Sequence, residues 1–181
     1  MINNSGYGSY GRFAEGELGD QLGMIDVNVR AVVELTGRLL PMLKARGGAI
    51  ITVASTAAFQ PTPYLATYGA TKAFVLHWSL ALNEELRGSG VRALALCPGP
   101  TTTEFFKRAG LKEGAVSDSL GQTTEEVVEE ALQALVKGRP QVVTGWKNKV
   151  MTAVASKLPK PLVTRIGAKI LEKYRLKQVG R

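Results

Sequence analysis

Apolar residues recur along this chain in two rhythms, and the switches between them mark its elements. From about Glu17 to Arg46, the residues Leu18, Leu22, Ile25, Val29, Val32 and Leu39 stand at helical spacing, which predicts one long helix that Pro41 kinks or ends. Residues Gly47 to Ser55 form a continuous apolar, partly β-branched run after two glycines, the pattern of a strand buried on both faces of a parallel sheet. Thr67 to Leu86 then mixes small residues (Gly69, Ala70, Ala73) with Phe74, Leu76, Trp78, Leu80 and Leu82, and predicts a buried helix ending near Gly88 and Gly90. Val91 to Cys97 reads as a second buried strand, leading into Pro98-Gly99-Pro100-Thr101-Thr102-Thr103. Further on, Thr123-Thr-Glu-Glu126 opens a helix with a capping box that runs to about Lys137 and is stopped by Gly138. Gln141 to Thr144 is a short strand, and Gly145 to Arg181 reads as two helical segments separated by Pro159 and Pro161. Alternating strands and helices of this kind predict an α/β fold on a parallel sheet.

One spacing attaches chemistry to that frame. Ser55 ends the first buried strand, Tyr68 follows thirteen residues later, and Lys72 four residues after that. Tyrosine and lysine four apart on a helix share a face, so the ammonium is expected to lower the phenol toward neutral pH and make Tyr68 an acid/base. A Tyr-xxx-Lys pair alone arises by chance in about one chain of this composition in three, and a serine at the fixed upstream position cuts that to about one or two in a hundred. In open parallel sheets ligands bind beyond the carboxyl ends of the strands, where Ser55 and the first turns of the following helix meet.

With these motifs the chain resembles the short-chain dehydrogenase/reductase family over most of its length. Asn3-Asn4-Ser5-Gly6 is similar to that family's Asn-Asn-Ala-Gly segment, with Ser5 in place of alanine. Asn28 falls where the family has its catalytic asparagine, and Pro98-Gly99 followed by Thr103 is similar to the stretch that contacts the nicotinamide end of the cofactor. The resemblance implies the carboxyl-terminal, catalytic part of a Rossmann-type doubly wound sheet over residues 1–144, with residues 145–181 as a basic helical extension packing on it. It implies an oxidoreductase that moves a hydride between NAD or NADP and a carbonyl or secondary alcohol. Catalysis would fall to Asn28, Ser55, Tyr68 and Lys72, and cofactor contacts to Asn4, Tyr68, Lys72, Pro98, Gly99 and Thr103. It also implies pairing of subunits through the helices near Glu17 to Arg46 and Thr67 to Leu86.

The roles follow from the reaction. Hydride addition to a carbonyl leaves an alkoxide that needs a hydrogen-bond donor and a proton, which Ser55 and Tyr68 would supply, Lys72 holding the ribose and Asn28 a relay water. The hydride itself is cofactor chemistry. A dinucleotide site also needs a glycine-rich turn at a helix amino terminus after a first strand, and nothing before Asn3 supplies one. Gly6-Tyr-Gly8-Ser-Tyr-Gly11 fits G-x-G-x-x-G but has no strand before it or helix opening at it, so it reads as a loop. The matches begin near the end of the family's fourth strand, so cofactor binding by these residues alone is expected to be weak, and a non-catalytic remnant acting as an interaction module is the competing reading. A Thr-Gly-x-x-x-Gly-x-Gly segment encoded upstream would decide for the enzyme.

Composition changes the picture in one place. The net charge of +8 comes from the tail, because residues 139–181 hold eleven Lys or Arg against Glu172 alone. There Leu162, Ile166, Ile170 and Tyr174 recur at every fourth position among Arg165, Lys169, Lys173, Arg175 and Lys177. Two uses are open: the stripe packs on the body with a solvated basic face, or the helix rests on an anionic membrane. Phe59, Tyr64, Phe105 and Phe106 suggest an apolar pocket and, together with the basic tail, allow a lipid-like substrate; the resemblance places the segment Pro100 to Gln122, with Phe105, Phe106 and Leu111, over that substrate. His77 has no partners for a metal site, and the single cysteine, Cys97, reads as a small core residue of a chain expected in the cytoplasm. No nucleic-acid fold accompanies the charge.

Overall fold

The computed structural model describes residues 1–110 and 121–172, and it carries the alternating pattern into a four-stranded parallel sheet of order β1-β2-β3-β4. The strands are β1 (Ile2–Asn3), β2 (Gly48–Val53), β3 (Val91–Cys97) and β4 (Gln141–Val143). The helices are α1 (Leu18–Ile25), α2 (Ala31–Arg46), α3 (Ala66–Glu85), α4 (Phe105–Arg108), α5 (Thr124–Val136), α6 (Trp146–Lys157) and α7 (Lys160–Glu172). β1 pairs Asn3 with Thr52, β2 pairs Ile51 with Leu94, and β3 pairs Cys97 with Val143, so every strand ends at the same edge.

Side chains alternate across the strands and divide the core. Ala54, Ala95 and Cys97 face Val32, Val75 and Leu76 of α2 and α3. Ile51, Leu94, Leu96 and Val142 face Val127, Ala131 and Ala134 of α5 on the opposite side. The capping box forms as the sequence predicts, with Thr123 Oγ1 accepting from the Glu126 N–H and the Glu126 carboxylate accepting from the Thr123 N–H.

The first long helix departs from the sequence reading in three ways. It is two α-helices joined by a π-helical turn over Asp26–Arg30, a wide turn common at functional positions. Pro41 neither ends nor divides it, since α2 runs on to Arg46. The proline lacks the N–H for one ladder bond, and it stands on an exposed face of the helix. Finally, the buried face is Gln21, Met24, Asn28, Val32 and Thr36, whereas Leu18, Leu22, Ile25 and Leu39 are exposed. Periodicity finds the apolar stripe, but the sheet side takes the face that carries hydrogen bonds. Leu111 and residues 173–181, including Lys173, Tyr174, Arg175 and Lys177, lie outside the described residues. Among the described residues no helix is long and apolar enough to cross a membrane.

Candidate active site

Ser55 leaves β2 with an extended backbone and caps a 3-10 turn over Thr56–Phe59, its Oγ accepting from the Ala57 N–H at 3.1 Å. Across from it, α3 begins at Ala66, so Tyr68 and Lys72 occupy its first two turns and are buried. The Lys72 ammonium donates to the Val53 carbonyl at 2.7 Å, at the carboxyl end of β2, and lies 5.8 Å from the centre of the Tyr68 ring. An ammonium has three donors, and the Val53 carbonyl is its acceptor among the described residues.

Two glycines allow the β1–α1 loop to pass over these turns. A Cβ at Gly6 would sit 2.9 Å from Asn28 Oδ1 and 3.4 Å from Lys72 Nζ. One at Gly8 would sit 2.9 Å from Phe105 Cζ and 3.2 Å from the Tyr68 ring. Phe105 of α4 packs on Tyr68 from the other side, ring centres 5.2 Å apart.

Asn28 holds this loop from behind. Its Oδ1 accepts from the Tyr7 N–H at 3.1 Å, and its Nδ2 donates to the Tyr7 carbonyl at 2.9 Å and to Thr71 Oγ1 at 3.1 Å. Thr71 in turn donates to the Tyr68 carbonyl at 2.7 Å. Asn28 therefore ties the loop to the backbone of Tyr68 and is only 2% exposed.

The remaining catalytic and cofactor candidates come together at one cavity of about 1470 Å³, lined by Asn4, Ser55, Tyr68, Lys72, Pro98, Gly99 and Thr103 among others; of the aromatic residues expected in an apolar pocket, Phe105 and Phe106 line it and Phe59 and Tyr64 do not. Asn28 stands outside that lining. Ile166 and Ile170 of α7 do line it, which gives part of the predicted amphipathic stripe an inward use. Tyr10 Oη donates to the Leu171 carbonyl and Lys160 Nζ to the Phe59 carbonyl at 3.0 Å, fastening α7 at both ends.

Electrostatics correct one expectation. Burial pushes the Tyr68 phenol up to about 12, opposed by the hydroxyl of Ser55 facing it, where the sequence suggested a shift toward neutral. Lys72 lies over the ring and is itself buried, and burial pulls its ammonium down to about 8, with Cys97 acting in the other direction. Desolvation disfavours the charged form of each group, and here it outweighs the opposing effects of Ser55 on Tyr68 and of Cys97 on Lys72. Tyr68 thus holds its proton throughout the neutral range.

Sequence reasoning missed Asn148 and Arg108, and gave Asn3 no role of its own within the Asn3-Asn4-Ser5-Gly6 segment. Asn3 is buried and donates to Thr36 Oγ1 at 3.1 Å, joining β1 to α2. Asn148, near the start of α6, packs directly on Gly99, where a Cβ would fall 2.1 Å from its Nδ2. That crowding explains the glycine by space alone. Arg108 lines the cavity from α4. No local pattern marks any of these, since each is an ordinary polar residue whose partner is distant in sequence.

Comparisons with known proteins agree with this geometry. A sulfoacetaldehyde reductase of Chromohalobacter salexigens is 33% identical over 139 residues, 75% of this chain and 55% of that protein. The structure of a short-chain dehydrogenase from Sphingobium yanoikuyae in complex with NADPH matches with a TM-score of 0.74 at 28% identity, over 87% of this chain and 64% of that one. A 7beta-hydroxysteroid dehydrogenase structure matches with a TM-score of 0.80 at 26% identity, over 93% and 66%. The chain spans about half the length of the curated relatives it matches. Residues 1–114 match the family model for short chain dehydrogenases, and with the sheet and the Ser55, Tyr68 and Lys72 arrangement described above, the chain belongs to that family.

Proposed function

We propose that this chain carries the proton-handling side of an NAD(P)-dependent oxidoreductase acting on an apolar carbonyl or secondary alcohol. The observation that supports this most is the buried Tyr68 and Lys72 pair beside Ser55 at the carboxyl edge of a parallel sheet. The residues present fit a nicotinamide ribose: Lys72 has donors beyond the one used on Val53, and Gly6 leaves the approach to its ammonium clear of any side chain. Asn4, Tyr68, Lys72, Pro98, Gly99 and Thr103 would hold that end of the cofactor. When bound, NAD(P)H supplies the hydride.

The chain's own residues then do three things. Ser55 Oγ donates a hydrogen bond to the substrate oxygen, stabilising the charge that develops there. Tyr68, whose phenol burial pushes up to about 12, carries the proton that it gives to that oxygen. Lys72 positions the ribose and supplies positive charge near the phenolate once the proton has left. Asn28 keeps the loop and Tyr68 in register through Tyr7 and Thr71.

Apolar cavity walls from α6 and α7 support a bulky, lipid-like substrate. The outward stripe of Leu22, Ile25 and Leu39, with Phe74 of α3 also exposed, supports pairing of two copies through α1, α2 and α3, measurable as the mass in solution by light scattering. The central test is NADPH oxidation with a panel of aliphatic and cyclic ketones. With cofactor binding restored, Tyr68→Phe is expected to lower kcat by at least about a thousandfold with NADPH affinity unchanged, because it removes proton donation and leaves the ring in place. Retained turnover in that variant would refute the role.

A further inference from the structure

We propose that Arg108 makes the cavity selective for amphipathic anions, substrates that join an apolar body to a carboxylate or phosphate. This rests on the oxidoreductase reading for the fate of the carbonyl, but not for the binding itself. The acidic and basic side chains among the described lining residues, the two tyrosines Tyr7 and Tyr68 aside, are Lys72, Glu104 and Arg108. Lys72 is turned to the Val53 carbonyl and the Tyr68 ring, and Glu104 lies 3.9 Å from Lys107 in an ion pair. Arg108 has no ion pair among the described residues. Arg108 itself is exposed, and the same lining includes the apolar Phe106, Met151, Val154, Ile166 and Ile170.

Its position relative to the chemistry is set by two fixed points. Phe105 packs on Tyr68 at 5.2 Å, and three residues on, Arg108 shares the same face of α4. That places its Cα about 4.5 Å further along the helix axis. The carboxyl end of α4 is held in turn, since the Ala109 carbonyl accepts from the Tyr10 N–H at 2.8 Å and the neighbouring Gly11 N–H donates to the Tyr64 carbonyl at 2.8 Å. A guanidinium in this place faces a ligand whose reactive carbonyl is at Tyr68 and whose anionic group lies several bonds away. Its planar fork matches carboxylate and phosphate alike, while the walls select the apolar remainder by contact area.

The experiment is equilibrium binding to the full chain without cofactor, by displacement of a dansyl-labelled undecanoate probe, using decanoate, dodecyl phosphate and dodecanol as competitors. Decanoate and dodecyl phosphate are expected to bind about tenfold to a hundredfold more tightly than dodecanol, the range of a charge-assisted hydrogen-bonded pair. Arg108→Gln should erase that difference and leave dodecanol unchanged, and Arg108→Glu should favour dodecylamine. The ratio of decanoate to dodecyl phosphate tells which anion the site prefers. Equal affinity for acids and alcohol in the unmodified chain would overturn the proposal, as would an equal loss for all competitors in Arg108→Gln. Tyr68→Phe should leave all these affinities intact, so failure of the catalytic reading and failure of this one give different results.

Discussion

The cavity is enclosed by two walls built on opposite principles. On the α3 side the buried Tyr68 and Lys72 form the wall, backed by Asn28 and Thr71, which are buried outside the lining, and Asn28, Thr71 and Lys72 each bond to a fixed partner. On the α7 side, Ile166 and Ile170 are 46% and 52% exposed and contribute only apolar surface. A buried polar group must be satisfied by a particular donor or acceptor or it costs the fold its desolvation. The first wall therefore tolerates few residue types at each position. A half-exposed apolar wall needs only volume and hydrophobicity, which many side chains supply. On the proposed reading, chemistry would sit on the wall that tolerates few residue types, and apolar contact with the substrate on the wall that tolerates many.

The sharpest way to break this contrast is at the junction where the walls meet. Gly99, at the end of β3, is pressed against the buried Asn148 of α6, and Gly99→Ala would put a methyl group within 2.1 to 2.5 Å of its amide. Overpacking of this sort costs about 1–3 kcal/mol, and more when backbone must move. The expected result is a loss in that range in urea unfolding, with cofactor-dependent activity falling further because Pro98-Gly99 shifts. Asn148→Gly in the Gly99→Ala background should recover much of the stability, a coupling a double-mutant cycle measures. Additive losses would mean that the two residues do not touch.

A second comparison sets one wall directly against the other. Asn28→Ala strands the Tyr7 N–H and the Tyr7 carbonyl and removes the bond that Thr71 Oγ1 accepts, leaving the one it donates to the Tyr68 carbonyl, and leaving groups without partners is expected to cost roughly 2–4 kcal/mol. Ile170→Ala removes a side chain that is already half in solvent and is expected to cost about 1 kcal/mol or less. Thermal unfolding of the two variants checks the order. Equal losses would mean that α7 is as firmly built into the core as the π-helical turn.

The same contrast explains what the sequence disclosed. Ser55, Tyr68 and Lys72 were legible because proton chemistry demands those residue types, and because strand and helix periods fix their relative placement. β2, β3 and α3 were legible for the same reason, each being buried on faces that admit only apolar or small residues. The outward turn of Leu18, Leu22 and Ile25 was not, because periodicity identifies a stripe without saying what covers it. Asn148 and Arg108 were invisible because their meaning lies in a contact with Gly99 and in an apolar cavity, both assembled from distant segments. The role of burial in raising Tyr68 was likewise hidden, since helical spacing reports the proximity of Lys72 but not the solvent lost by both.

The smallest expected effect, a dependence of stability on alkaline pH, isolates the electrostatics of the first wall. Lys72 titrates near 8 in the folded chain against an ordinary value of 10.5, so between these values the unfolded state binds more protons and stability rises with pH. Cys97 behaves oppositely, its thiol pushed by burial from 9.0 to about 12, and so does Tyr68, from 10.0 to about 12. Above their ordinary values these two bind more protons in the folded state, and stability falls. From pH 8 to 9 Lys72 acts alone and the unfolding midpoint should rise. From 9 to 10 Cys97 offsets it, and above 10 Tyr68 joins Cys97 and the midpoint should drop. Lys72→Met should abolish the rise between pH 8 and 9, and Cys97→Ala should extend that rise toward pH 10. A midpoint that already falls from pH 8 upward would show that solvent reaches Lys72 freely, and the contrast between the sealed wall and the open one would fail at its central residue.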